Sequence, residues 1–248
     1  MRSLRLEFTK LRRKHVAPVV FALVGAVLGW LYLDAHQEGA GSPTGWNSLL
    51  YAAPIMNSML LSLLAAVVAS RVADVDHEAN AWKELLCLQR TGSLLAAKLL
   101  CAMLIMAFAM ALEVAGMVAI GQLMNFPSMP DAATWGSFLA SQLASCLFLV
   151  AIVGAVAIRW ESQFISIACG LSLSLAGLFS SFLPTTLQRL IPSGYFTLLS
   201  TLRIDWTGKS LKPIFHTAAF PLMDYVLIAL FTIAACAIAY LSFNRKEH

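Results

Sequence analysis

Charge is scarce in this chain. Asp, Glu, Lys and Arg make up 12% of its 248 residues, against ~25% in an ordinary soluble domain. That is too few to coat the surface a chain of this length would turn to water, so a water-soluble globule is excluded. Cysteine is sparse and unpatterned. Cys87, Cys101, Cys146, Cys169 and Cys236 are odd in number and show no C-x-x-C spacing, which argues against a disulfide framework or a zinc site. Catalytic signatures are missing too: there is no G-x-S-x-G, no H-E-x-x-H and no intramembrane aspartate pair. Thr207-Gly208-Lys209-Ser210 has Arg203 where a phosphate-binding loop needs glycine. An enzyme is not indicated. Apolar residues, by contrast, are abundant, at 59% of the chain with a mean hydropathy of +0.76.

Those apolar residues fall into six stretches, 17–33, 50–69, 94–123, 135–158, 164–183 and 222–243. Most are long enough to cross about 30 Å of hydrocarbon as a helix. None alternates apolar and polar residues as barrel strands do, and a helix satisfies its own backbone in lipid. The sequence therefore predicts an all-α polytopic membrane protein, a single transmembrane domain over 1–248. The stretch 1–16 is too basic for a signal peptide and lacks a small-x-small cleavage site, so the first span is expected to stay.

Thirteen of the 17 Lys and Arg residues fall on one side of the six spans. They lie in 1–16, in 70–98, at Arg159 and at Arg245 and Lys246. The other side has four, all in 184–221. The basic side should face the cytoplasm, with both termini inside.

Within 1–16, Leu4, Phe8 and Leu11 form one apolar stripe flanked by Glu7, Lys10, Arg12 and Arg13, the pattern of a helix lying in the headgroup layer. A plain positive-inside anchor fits equally well. In the first cytoplasmic loop, 71–93, Trp82, Leu85, Leu86 and Gln89 recur at i, i+3, i+4 and i+7 beside Lys83 and Glu84. An exposed amphipathic helix there needs a cover: a partner, the bundle itself, or lipid. Asp74, Asp76, His77 and Glu78 precede it, and read as charges that complement a helix start rather than as metal ligands.

Glu113 interrupts the third span. An intramembrane carboxylate must face the bundle interior or a wet cavity, either as a functional group or bonded to a neighbouring helix. The segment 184–221 is rich in proline and apolar residues. It is expected to form two short interfacial or re-entrant helices, with Tyr195, Phe196, Trp206 and Phe215 as an aromatic outer surface. Ser166, Ser172, Ser174, Ser180 and Ser181 read as small residues at helix contacts.

Taken together, Leu6-Glu7-Phe8-Thr9-Lys10-Leu11-Arg12-Arg13, the loop from Asp76 through Trp82-Lys83-Glu84-Leu85-Leu86, Ala97-Lys98-Leu99 and Pro192-Ser193-Gly194-Tyr195 resemble the permease subunits of type 2 ABC exporters, and among them the lantibiotic immunity permeases. Asn80 and Ala81 stand where the family has Gly and Ser or Thr, and Ser193 where the immunity branch often has Trp. The resemblance implies a permease that pairs with a second permease, identical or different, and docks a separate ATPase dimer. ATP and magnesium would be bound by that partner, and no cofactor by this chain. Glu78, Trp82, Lys83, Leu85, Leu86 and Gln89 would form the ATPase-coupling helix. Glu113, Tyr195, Phe196 and Trp206 are candidates for the substrate path, and the substrate would be an amphipathic antimicrobial peptide expelled for self-protection. The other readings of the residues are an ion-coupled transporter or channel using Glu113, and a non-transporting membrane assembly factor or anchor. Nucleic acid is not an expected partner.

Overall fold

The computed structural model describes residues 16–78, 91–160, 162–205 and 214–244. Six helices are long and apolar enough to cross a membrane. They are α1 (Val16–Glu38), α2 (Gly45–Glu78), α3 (Thr91–Leu123), α4 (Ala132–Arg159), α5 (Gln163–Ser180) and α8 (Leu222–Asn244). The all-α polytopic fold expected from the sequence is present. The helices start up to five residues earlier than the apolar runs. α5 stops at Ser180, leaving Phe182 and Leu183 outside it. The expected loop 71–93 is helical at both ends: α2 runs on to Glu78 and α3 begins at Thr91. Asp74, Asp76, His77 and Glu78 lie in the last turns of α2; the helix whose start they were expected to precede lies outside the described residues.

The centre of the bundle is α2, which packs against α1, α3, α4 and α5, while α8 lies mainly on α4. α1 shows how the apolar runs are sorted. Val16, Val20, Val24, Val27, Leu31 and Ala35 recur every three or four residues and are buried, whereas Phe21, Trp30 and Leu33 point outward. A helix apolar all round thus keeps one face for protein and leaves the rest for lipid.

α5 approaches α2 most closely through small residues. Ser166, Gly170, Ser174, Gly177 and Ser180 form its buried stripe. The Ser174 hydroxyl donates to the Met59 carbonyl at 2.6 Å. A Cβ on Gly170 would meet the Cβ of Ala66, and one on Gly177 would run into the Ser58 carbonyl oxygen and the Ser193 side chain. Small residues allow this close backbone approach, which dispersion and interhelical hydrogen bonds then hold. Ser172 is exposed on the opposite face, so it makes no such helix contact.

At one end of the bundle, the loop end, the α1–α2 and α3–α4 connections meet. The Gly41 amide donates to the Met124 carbonyl at 2.8 Å, and the Trp46 indole donates to the Phe126 carbonyl at 3.3 Å. The Trp46 ring stands edge-on to Phe126 and to Trp135, each 6.2 Å away. The 184–221 segment caps this end. It holds two one-turn helices, α6 (Thr185–Gln188) and α7 (Tyr195–Leu198), with a 3-10 turn at Pro192–Gly194. An antiparallel ribbon follows, β1 (Leu202–Asp205) with β2 (Ile214–Thr217), in the register Leu202 to Thr217 and Asp205 to Ile214.

The ribbon was not expected. Leu202-Arg203-Ile204-Asp205 does alternate apolar and polar, the period of a strand, but four residues are too few to stand out beside the apolar run from Tyr195 to Leu202.

Because the Ser58 carbonyl is backbone and cannot turn aside, Gly177→Val is expected to cost about 1–3 kcal/mol by overpacking. Ser172→Val on the lipid face should stay within about 0.5 kcal/mol of wild type. Thermal unfolding of the two variants in detergent or lipid checks the difference.

Candidate functional site

Three polar side chains from three spans meet inside the bundle. Asn57 on α2, Glu113 on α3 and Gln142 on α4 are each fully buried. The Asn57 amide nitrogen donates to Glu113 Oε1 at 2.8 Å and to Gln142 Oε1 at 3.1 Å. Gln142 Nε2 in turn donates to the Phe196 carbonyl at 3.2 Å and to Ser141 Oγ at 3.3 Å. Glu113 thus faces the bundle interior, as the cost of a carboxylate in hydrocarbon requires, and its partner is an amide on α2. Asn57 and Gln142 were missed in the sequence. The signal was available, since each is the only amide side chain in its apolar run, and polar side chains inside a span are disposed to bond across helices.

The cluster also reaches the loop-end cap. The Phe196 carbonyl belongs to α7, whose Tyr195 and Phe196 are both fully buried. The Tyr195 hydroxyl donates to the Arg189 carbonyl at 3.1 Å, and its ring stands edge-on to Phe148 at 5.8 Å. The expected aromatic outer surface is therefore not made by these two rings, which anchor the cap into α4 instead. Burial pushes the Tyr195 phenol above its ordinary range, and the nearby Asp224 charge adds to this against the opposing Arg189. Arg189 reaches the first turn of α8, where its Nε lies 2.6 Å from the Asp224 carboxylate. That bond raises the guanidinium still further and keeps it charged.

Two cavities open at the loop end beneath the ribbon. One, of about 350 Å³, is lined by Trp46 and Asn47 on α2, by Thr134, Ser137 and Ser141 on α4, and by Ser200 and Thr217 of the cap. Its lining is rich in hydroxyls, and Ser141 joins it to the buried cluster through Gln142. At its rim Asp131 caps α4, and hydrogen bonds from the Thr134 hydroxyl and amide hold its carboxyl below the usual range. The other cavity, of about 320 Å³, has Asp34 and Glu38 on its α1 wall, with Trp30, Tyr51 and Phe215 around them. Asp34 accepts from the Ser48 hydroxyl at 3.1 Å, and no Lys or Arg among the described residues lines this cavity. Both volumes lie in the range of small-ligand sites. Carboxylates set among aromatic rings suit a cationic, partly apolar group.

At the opposite end Lys98 is buried, and its Nζ donates to the Val72 carbonyl at 2.8 Å. The sequence had counted it with the loop charges; two turns into α3, it lies within the bundle. Trp82, Lys83, Leu85, Leu86 and Gln89, the interfacial Glu7, Lys10, Arg12 and Arg13, and Trp206 lie outside the described residues. Of the coupling residues only Glu78 has a described backbone, at the end of α2.

Replacing Asn57 by Leu would leave Glu113 Oε1 buried without a donor. We expect a loss of about 1–3 kcal/mol, read as a lower thermal midpoint, with a smaller loss for Asn57→Gln, which keeps the amide.

A family model described as ABC-2 family transporter protein matches residues 3–177 of this chain. The matched stretch takes in α1 to α4 and most of α5, and stops before the cap and α8. No curated protein matches the chain.

Proposed function

The chain belongs to the ABC-2 transporter family and is a multi-pass membrane permease component of an ABC transporter; on that footing we propose that it serves an ATP-driven exporter of amphipathic, cationic peptides such as lantibiotics, in self-protection. The family match across 3–177 is the observation that carries the transporter part of this reading. An energy source on another chain agrees with the absence of any nucleotide or catalytic motif from this sequence.

In this reading the amphipathic Trp82–Gln89 stretch inserts into a groove of the partner ATPase, with helix-in-groove recognition through Trp82, Leu85, Leu86 and Gln89, and Glu78 and Lys83 beside it. Closure of the ATPase dimer on ATP then moves the ends of α2 and α3, which the stretch joins. The interfacial 1–16 segment, with Glu7, Lys10, Arg12 and Arg13, holds the first span against anionic headgroups. Two permeases pair, and the basic side with both termini faces the cytoplasm of a bacterial cell. The loop end is then extracellular. What supports the substrate class is the cavity that places Asp34 and Glu38 among Trp30, Tyr51 and Phe215. Trp206, a sequence candidate for the substrate path, remains a further candidate for substrate contact.

The test is co-purification. Trp82→Ala with Leu86→Ala is expected to abolish capture of a partner ABC ATPase subunit, and with it protection of cells against a cationic lantibiotic. Folding and membrane insertion should be unaffected, as shown by unchanged size-exclusion behaviour. Full ATPase capture by the double variant, or transport that persists after ATP depletion, overturns the proposal.

A further inference from the structure

The Asn57–Glu113–Gln142 cluster is short of hydrogens. Asn57 has two amide hydrogens, and both are used, on Glu113 and on Gln142. Gln142 has two, used on the Phe196 carbonyl and on Ser141. The neighbouring hydroxyls of Ser58, Ser141 and Ser145 donate to carbonyls of their own helices. Glu113 Oε2 and Asn57 Oδ1 are left buried without a donor. Turning either amide over exchanges a nitrogen for an oxygen but adds no hydrogen, so the shortage does not depend on how the amides are oriented.

The charge is equally unbalanced. Among the described residues Glu113 has no cationic partner, and its one hydrogen bond comes from a neutral amide. On α4 the titratable group nearest to it is the Cys146 thiol, which is also buried and brings no positive charge. From α1, Leu28 packs at the level of Gly116, one turn along α3, while Asp34 and Glu38 lie farther along α1 and are themselves acidic. On α8, Asp224 is taken up by Arg189. A bare carboxylate in such a place costs several kcal/mol. One added hydrogen on Oε2 removes the charge and gives the cluster the hydrogen it is short of.

We propose that Glu113 is a proton-binding site: it holds a proton while α2, α3 and α4 are packed as they are here, and returns it to water when the three helices part. The proton is taken from water on closure and given back on opening, so no other reactant is needed. The inference concerns the bundle itself and holds whichever source of energy drives the complete transporter.

The experiment uses the full chain in lipid nanodiscs. Infrared difference spectra between wild type and Glu113→Gln at neutral pH should show a protonated carboxyl C=O band, sensitive to deuterium exchange, that is missing from the variant. Only carboxylate bands at that position overturn the proposal. Thermal unfolding gives an independent reading. If the packed state holds a proton that the separated state gives up, the wild-type midpoint falls as pH rises from about 6 to about 9. Glu113→Gln, which carries its own donor in place of the acid, removes this dependence. A wild-type midpoint insensitive to pH, or one raised by exchanging choline for sodium at constant ionic strength, assigns the site to something other than a proton and overturns the proposal. Should Glu113→Gln fail to fold, the pH titration of the wild-type band decides alone.

Discussion

A polar group inside a bundle in hydrocarbon has only the protein to bond with, and in this molecule that constraint converges on Asn57. Its amide is the single bridge between the carboxylate of α3 and the amide of α4. It sits on the helix around which four other spans pack. Apolar side chains gain little by leaving lipid for protein, so apolar packing alone fixes neither the rotation nor the depth of a span. A hydrogen-bonded cluster does both, because each partner is left without an alternative if its helix turns or slides. Gln142 carries the same constraint to the cap by holding the Phe196 carbonyl.

The rest of the bundle is built by close approach. α5 has little but shape with which to bind α2, and it uses a stripe of Ser and Gly that lets backbone meet backbone. At the loop end the connections are tied by backbone and indole hydrogen bonds, and the cap is pinned to α8 by Arg189 and Asp224. The two cavities lie between these fixed parts. One is floored by a serine in contact with the buried cluster, so a ligand at the loop end and the packing of α2, α3 and α4 share a hydrogen-bonded path.

That arrangement gives physical content to a permease. On the proposed function, movement imposed at the ends of α2 and α3, where the coupling stretch would begin and end, would reach the Asn57–Glu113 contact along the two helices that carry it. A two-state element of this kind is what a switching transporter needs. The family match ends at residue 177, before the ribbon and the cap that roof the two cavities.

Composition, run length and the lack of apolar–polar alternation determined that the chain crosses a membrane, how many times, and with which side basic, because hydrocarbon thickness and backbone satisfaction allow only helices or closed barrels, and unalternating runs of about 20 apolar residues fit the helix. They also singled out Glu113, since a charge in an apolar run is visible without a fold. Its partners were decided by tertiary structure. Asn57 lies 56 residues away and Gln142 lies 85 from Asn57, and nothing in either local sequence states which face of α2 or α4 will turn toward α3. The same reason hid the fate of Tyr195 and Phe196. An apolar run reports that its side chains leave water, but only the docking of the cap on α4 decided that they enter the protein core and not the membrane surface.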